Sequence, residues 1–334
     1  MNFAFFDAKA YDIPAFEYYG KKKGINFKYF DTRLTPDTAE LSRGYDGVCV
    51  FVNDDVCKET IDILLKNGVR LIALRCAGFN NVDCEYAEGK IPVVRVPAYS
   101  PYAVAEHAAA MLLTSVRRIH RAYIRTRYFN FSLNDLCGFD LHGKTVGIVG
   151  TGKIGAAFSE ICNGFGMKVI ASDPYPNKTL KAEYADLGEL FSRSDIVSLH
   201  CPLTEKTYHM IDSAALSKMK EGVVIINTSR GALIDAAALL EGIKERRVGA
   251  ACLDVYEEES ELFFEDNSAE IMDDDILARL ISMPNVLVTS HQAFLTREAL
   301  DNIACTTVEN ICARLRTGFS ENEICLKCDN IFEK

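Results

Sequence analysis

A glycine-rich run, an arginine, several acids and a histidine stand at the ends of short apolar segments in the second half of this sequence. Gly150-Thr151-Gly152-Lys153-Ile154-Gly155 follows the apolar run 145–149, precedes a helical stretch over 156–165, and is succeeded by Asp173 at the end of the next apolar run. In that context the G-x-G-x-x-G spacing reads as a dinucleotide fingerprint. Gly150 permits the tight turn, Gly152 lets the backbone approach a pyrophosphate, and Gly155 allows close helix–strand packing. The phosphate charge then faces a helix N-terminus, where N–H groups lack intrahelical partners. Asp173 can accept hydrogen bonds from both ribose hydroxyls and would repel a 2′-phosphate. Pro174 and Tyr175 follow it with no arginine to hold such a phosphate, so NAD is the expected cofactor.

Later apolar runs end in Cys201-Pro202, Thr228-Ser229-Arg230, Asp254 and His291. Ligands of open α/β sheets bind beyond the carboxyl ends of the strands, so these groups are expected to meet on the cofactor edge. Together they suit ketone reduction. Hydride arriving at a carbonyl carbon builds negative charge on the oxygen, and a proton donor must sit beside it. His291 serves if a nearby carboxylate keeps it protonated. Arg230 can grip a substrate carboxylate at two points, and Asp254 is expected to orient the nicotinamide carboxamide. Of the other histidines, His107 and His120 lie in a long helical stretch and read as packing or surface positions. His142 precedes the fingerprint strand, strand alternation turns His200 inward, and His209 falls in a helix or loop. The partner of His291 stays open among Glu257, Glu258 and Glu259. The acidic run 257–261 and the later 273–275 otherwise read as solvated loop.

The elements that must position these groups follow from the apolar pattern. Runs at 3–6, 27–30, 48–52, 71–74 and 93–96 alternate with helical spacing, as at 60–66, the pattern of a parallel sheet covered by helices. None of them opens onto a glycine fingerprint. Ser100-Pro101 then supplies a cap and a first-turn proline for a helical stretch over 101–127. Its apolar positions include Val104, Ala108, Met111 and Leu112, and Arg117, Arg118, Arg121, Arg125 and Arg127 crowd its far half. That basic end is expected to meet solvent or another subunit. A second strand series runs through 145–149, 169–172, 196–200, 223–227, 250–253 and 286–289, and a helical tail over 298–315 is expected to pack back on the first lobe. The expected architecture is two doubly wound parallel α/β domains. A Rossmann NAD-binding domain (101–298) is inserted into a discontinuous, flavodoxin-like substrate domain (1–100 plus 299–334).

A chain of 334 residues that is 49% apolar can bury two cores. Its net charge of −10 argues against a nucleic-acid partner. No apolar run reaches the roughly 20 residues that span a bilayer, and the first residues lack a basic leader region. Membrane association and a secretory signal are therefore not expected. The 12 cysteines are scattered, and Cys49, Cys162, Cys201 and Cys252 read as small buried hydrophobes. Cys325 and Cys328 have no second pair at zinc-finger spacing and read as thiols. A reducing cytoplasm and no metal are expected.

Eight stretches carry a resemblance over nearly the whole chain: 50–55 (VFVNDD), 72–83 (IALRCAGFNNVD), 94–101 (VRVPAYSP), 117–127 (RRIHRAYIRTR), 143–155, 227–235 (NTSRGALID), 253–259 (LDVYEEE) and 291–296 (HQAFLT). On them the sequence resembles the D-isomer-specific 2-hydroxyacid dehydrogenases, most of all the fermentative bacterial D-lactate dehydrogenases. The resemblance implies that Arg230 binds substrate, that His291 is the acid/base, and that Glu259 is the carboxylate paired with it. It implies backbone N–H groups near Ala77 and Gly78 for the substrate carboxylate, and Tyr99 lining the pocket. Cofactor contacts are implied for Lys153, Ile154, Cys201, Pro202, Thr207, Thr228, Ser229 and Asp254. Cys201 stands where the family often has valine, a change that a backbone contact survives. The family closes its lobes over substrate, which excludes water, and its members form dimers or tetramers.

Phe51-Val52-Asn53 offers no cation for a second carboxylate, and Phe51, Tyr99 and Phe294 suit a methyl group. Pyruvate, reduced to D-lactate, is therefore the expected substrate. Apolar pockets separate alkyl groups by only about 1–3 kcal/mol, so 2-ketoisocaproate and phenylpyruvate are the alternatives. No regulatory domain of the 3-phosphoglycerate dehydrogenase kind is seen, and the glutamine of formate dehydrogenases is absent. A reading from another class is an NADH-sensing binding protein like the C-terminal-binding corepressors, which share this fold.

Overall fold

Five short runs rich in aromatic and β-branched residues pair in parallel to build the sheet of the first unit. They are β1 (Asn2–Phe5), β2 (Asn26–Tyr29), β3 (Gly47–Val50), β4 (Ile72–Leu74) and β5 (Val93–Val94), in the order β2-β1-β3-β4-β5. That is the flavodoxin-like order. All four residues of β3 are buried, as are Phe3, Ala4 and Phe5 of β1, the continuous apolar signature of strands covered on both faces. The helix Ile13–Lys23 seats Phe16 edge-on against Phe5 with ring centroids 4.8 Å apart. It stops at Gly24, which takes the left-handed backbone (φ 74°) that favours glycine.

The structure is a computed structural model that describes residues 1–258 and 263–324. It divides into two compact units, Met1–Ser100 with Leu295–Lys334, and Pro101–Phe294. The chain re-enters the first unit at Leu295, ahead of the expected residue 299, because the helix Arg297–Thr317 is already capped there by the Thr296 hydroxyl, which accepts from Ala299 N. This helix packs on Ile13–Lys23. Beyond it, Glu323 pairs antiparallel with Val94 on the sheet edge.

The second unit holds β6 (Thr145–Val149), β7 (Lys168–Ser172), β8 (Glu183–Tyr184), β9 (Ile196–Leu199), β10 (Val223–Asn227), β11 (Val248–Leu253) and β12 (Val286–Val288). They run parallel in the order β12-β11-β10-β9-β6-β7-β8. Strand order reverses between β6 and β9, the switch point where doubly wound sheets open a crevice. The two-residue β8 is too short to show any period and escaped sequence reading. One face of the sheet packs the helix Pro101–Val116 through Ala105, Ala108, Met111 and Leu112, together with Phe158 of the helix Lys153–Gly164.

The expected helix over 101–127 is in fact two, Pro101–Val116 and Ile119–Arg127. Arg118 adopts a left-handed backbone (φ 55°) between them. Gly138 runs so close to the end of the first helix that a Cβ there would lie 1.9 Å from the Val116 carbonyl oxygen. The second helix buries no residue, so packing does nothing to continue the first helix's direction. Cys49, Cys162 and Cys252 are buried as expected, but Cys201 is half-buried. Among the described residues no helix is long and apolar enough to cross a membrane.

Candidate active site

In the second unit, the expected groups stand at the carboxyl ends of adjacent strands. The fingerprint loop follows β6, Asp173 follows β7, Cys201-Pro202 follows β9, Thr228-Ser229-Arg230 follows β10, Asp254 follows β11, and His291 lies beyond β12.

The three fingerprint glycines are required for different reasons. A Cβ on Gly150 (φ 92°) would lie 2.5 Å from the His200 carbonyl oxygen, and one on Gly155 would lie 2.0 Å from that of Gly150. A Cβ on Gly152 would meet nothing within 4 Å. Gly152 therefore leaves a bare backbone face where the helix Lys153–Gly164 begins, a start that no side chain caps. On the same edge Thr228 Oγ1 is buried and has no hydrogen-bond partner among the described residues. The open backbone, the uncapped helix start with Lys153 and Ile154 in its first turn, and the orphaned hydroxyl fit a dinucleotide. The Asp173 carboxylate is held rigid. One oxygen accepts from Thr151 N (2.5 Å) and Thr151 Oγ1 (3.1 Å), and the other from Tyr175 N (2.7 Å). The Tyr184 hydroxyl donates to Thr151 Oγ1.

After β9, Thr207 Oγ1 donates to the Pro202 carbonyl at 2.8 Å and staples the loop. His200 keeps some exposed surface, but its Nδ1 is enclosed, its Nε2 lies 2.8 Å from Ser198 Oγ, and its ring packs on Phe158. Burial pushes its pKa down to about 4, so it is neutral near pH 7 and is no rival proton donor.

Arg230 is placed by a residue that sequence reading missed. Asn227, buried at the end of β10, accepts from Ser229 N (3.0 Å) and donates to the Arg230 carbonyl (2.8 Å). Ser229 Oγ donates to Leu199 O, and Arg230 Nη1 to Ser229 O. Gly231 presses this turn against the segment after β11, since a Cβ there would lie 2.0 Å from Tyr256 backbone atoms. The available signal was one amide ending an otherwise apolar strand.

Asp254 is fully buried. One carboxylate oxygen accepts from Thr289 Oγ1 (2.5 Å) and Gln292 N (2.9 Å), and the other from Ala293 N (2.9 Å). His107 Nε2 lies 3.3 Å from the first oxygen. Burial pushes this carboxyl up, but bonds from His107, Thr289 and Ala293 outweigh it and hold the carboxyl below its ordinary range. The side chain expected to orient a carboxamide thus ties down the turn that carries His291. The Asp254 carbonyl also accepts from His291 N at 2.7 Å. His291 has a left-handed backbone (φ 52°), a strained state for a residue with a Cβ and one that concentrates at functional sites. Its ring lies 5.8 Å from that of Phe264. His107, expected to be a packing or surface residue, belongs to this cluster, because helical register aims it at the β11–β12 edge.

The acidic runs are less uniform than expected. Glu257 is half-buried and pairs with His209 Nε2 at 2.5 Å, with Tyr208 stacked on the imidazole. Asp274 caps the helix Asp275–Ser282 by accepting from Leu277 N. Glu259, Ser260 and Glu261, like Cys325 and Cys328, lie outside the described residues.

In the first unit, Phe51, the Ala77-Gly78 pair and Tyr99 follow β3, β4 and β5, so they share one sheet edge. Arg95 Nη1 donates to the Ala77 carbonyl at 2.9 Å. Phe51 is buried beneath the Arg75 guanidinium, 4.6 Å from its ring centroid. Arg75 also holds the carbonyls of Phe6 and Asp7. Nearby Asp54 accepts from Phe51 N and Leu34 N, and burial pushes it up to about 6 against the pull of Arg75. Phe294 is buried at the end of the second unit.

Residues 109–293 match the family described as D-isomer specific 2-hydroxyacid dehydrogenase, NAD binding domain. The D-lactate dehydrogenase of Escherichia coli (strain K12) is 52% identical, covering 93% of this chain and 96% of that protein. A 2-hydroxyacid dehydrogenase homolog of Haemophilus influenzae is 49% identical, covering 95% and 97%. Among solved structures, the apo form of Escherichia coli D-lactate dehydrogenase superposes with a TM-score of 0.90 at 48% identity, covering 97% of this chain and all of that one. The D-lactate dehydrogenase of Lactobacillus jensenii with NAD+ gives 0.82 at 31%, covering 97% and 99%.

Proposed function

Because the chain belongs to the D-isomer-specific 2-hydroxyacid dehydrogenases, we propose that it reduces pyruvate reversibly to D-lactate with NADH. The observation that carries this reading is the placement of Arg230, Asp254 and His291 beyond three neighbouring parallel strands, β10, β11 and β12. NADH, when bound, supplies the hydride. Gly150, Gly152, Lys153, Ile154 and Gly155 receive the pyrophosphate, and Asp173 the adenosine ribose. Cys201, Pro202, Thr207, Thr228 and Ser229 border the rest of the cofactor. Arg230, fixed by Asn227, holds the substrate carboxylate at two points, which decides the ketone face presented. His291 delivers its proton to the carbonyl oxygen as charge develops there. Glu259 is the proposed carboxylate that keeps His291 charged. Ala77 and Gly78 are proposed to bind the substrate carboxylate through their N–H groups, and Phe51, Tyr99 and Phe294 to contact its methyl group.

Pyruvate is favoured over bulkier acids because a protein named D-lactate dehydrogenase is 52% identical to this chain. The D-2-hydroxyisocaproate dehydrogenase is 31% identical. The test is kcat/KM for pyruvate, 2-ketoisocaproate and phenylpyruvate with NADH and with NADPH. Pyruvate with NADH is expected to rank first, and a lead for phenylpyruvate or for NADPH overturns the assignment.

Self-association and a cytoplasmic location complete the reading. Tyr128, Phe129, Phe131 and Leu133 are 80%, 85%, 71% and 81% exposed just after the basic helix Ile119–Arg127. A cluster of exposed apolar side chains of this kind supports a protein contact. The buried thiols of Cys49, Cys162 and Cys252 fit a reducing compartment.

A further inference from the structure

We infer that His107 is a positioning residue for the proton donor and acts through Asp254. The inference rests on the reading of His291 as that donor. His107 projects from the helix Pro101–Val116, and its Nε2 lies 3.2 Å from Thr289 Oγ1 and 3.3 Å from the nearer Asp254 oxygen. The Thr289 hydroxyl donates to that same oxygen. The rest of the carboxylate's bonding capacity goes to Gln292 N and Ala293 N, and the Asp254 carbonyl takes His291 N. His107 therefore reaches the His291 turn through one fully buried acid, and by a second route through Thr289, whose carbonyl also accepts from His291 N at 3.1 Å.

A buried carboxylate is tolerated only while charged and polar partners compensate for its lost hydration. His107 Nε2, 3.3 Å from one oxygen, is one such polar partner. Thr289 and two backbone N–H groups supply the remaining donors. Removing the imidazole leaves a buried charge that must either take up a proton or draw in water. In both cases the bonds to Gln292 and Ala293 N–H weaken, because a neutral acid or a hydrated one is a poorer acceptor there. Those bonds hold His291 in its left-handed backbone (φ 52°), a conformation a residue with a Cβ leaves when released. The imidazole of His291 then loses its aim at the reacting oxygen while the cofactor loop after β6 is untouched.

This role differs from packing in a way that can be measured. In the full-length enzyme, His107→Gln keeps an N–H donor near Asp254, whereas His107→Leu keeps volume but no donor. With pyruvate and NADH, His107→Leu is expected to lower kcat by about tenfold or more. Its NADH Kd should stay within about twofold of the parent and its solvent deuterium isotope effect on kcat should rise. His107→Gln should recover most of kcat. Thr289→Val, which removes the bridging hydroxyl while preserving shape, should lower kcat in the same way. Its effect should not add to that of His107→Leu, and this arm stands if the leucine variant fails to fold. Unchanged kcat in both His107→Leu and Thr289→Val overturns the inference, as does equal impairment of the Gln and Leu variants. His291→Ala run alongside separates the two levels: near-normal turnover there sinks the proton-donor reading itself, whereas loss of turnover beside an intact His107→Leu sinks only the role of His107.

Discussion

At the scale of residues, the proposed site depends less on which polar groups are present than on how they are held. Arg230, Asp173 and His291 are legible in the sequence because each closes an apolar run. The tasks of Asn227, Thr289 and His107 are not legible: the Asn227 amide meets Ser229 and Arg230 only once the turn after β10 has folded, and the Thr289 hydroxyl and His107 imidazole acquire meaning from partners 35 and 182 positions away. Asp254 shows both sides: its position was readable, but its fourfold engagement with His107, Thr289, Gln292 and Ala293 was not. His200 gives a prediction with a definite sign. Its folded value, about 4, lies below the ordinary 6.5, so the unfolded chain binds the proton first as pH falls. Stability must therefore drop from about pH 6.5 downward and level off below about pH 4, by about 3 kcal/mol in full. Urea midpoints of the parent and of His200→Phe, compared from pH 7 to pH 4.5, should diverge, with the parent losing more. Parallel curves would remove the buried neutral ring from the account.

At the scale of elements, the strands were readable from continuous apolar runs and the fingerprint from its strand–glycine–helix context. The break at Arg118 was not readable, because nothing in the arginine-rich pattern marks where helical packing ceases and Gly138 crosses the end of the first helix. Nor was β8, whose two residues pair only because β7 offers them an edge. The glycine loop separates folding from binding. Gly155→Ala places a Cβ 2.0 Å from a carbonyl oxygen, whereas Gly152→Ala meets open space. The first variant should lower the thermal midpoint by several degrees, in line with a strain of about 1–3 kcal/mol. The second should leave the midpoint nearly unchanged and weaken NADH binding by about tenfold, as a methyl group intrudes where the pyrophosphate approaches. Calorimetry with an NADH titration checks both, and a stable, tight-binding Gly152→Ala protein would contradict the cofactor placement.

At the scale of the whole molecule, the sequence order β-α-β twice over foretold two parallel sheets, and the helical spacing after the last strand matches the helix Arg297–Thr317, which packs on Ile13–Lys23. Helical spacing alone does not mark the cap at Thr296, which starts the last helix ahead of the expected residue 298. The exposed residues Tyr128, Phe129, Phe131 and Leu133 predict an assembly larger than one chain. Light scattering on the purified parent should give a multiple of 37.1 kDa, and the doubly charged variant Phe129→Asp with Phe131→Asp should give a smaller assembly. An unchanged mass would place the contact elsewhere.

The central claim concerns which bond is made and on which face. Purified enzyme supplied with pyruvate and NADH should consume the two in equal amounts and accumulate lactate that chiral chromatography resolves as the D-isomer. Recovery of the L-isomer, or oxidation of NADH without matching lactate, would contradict it.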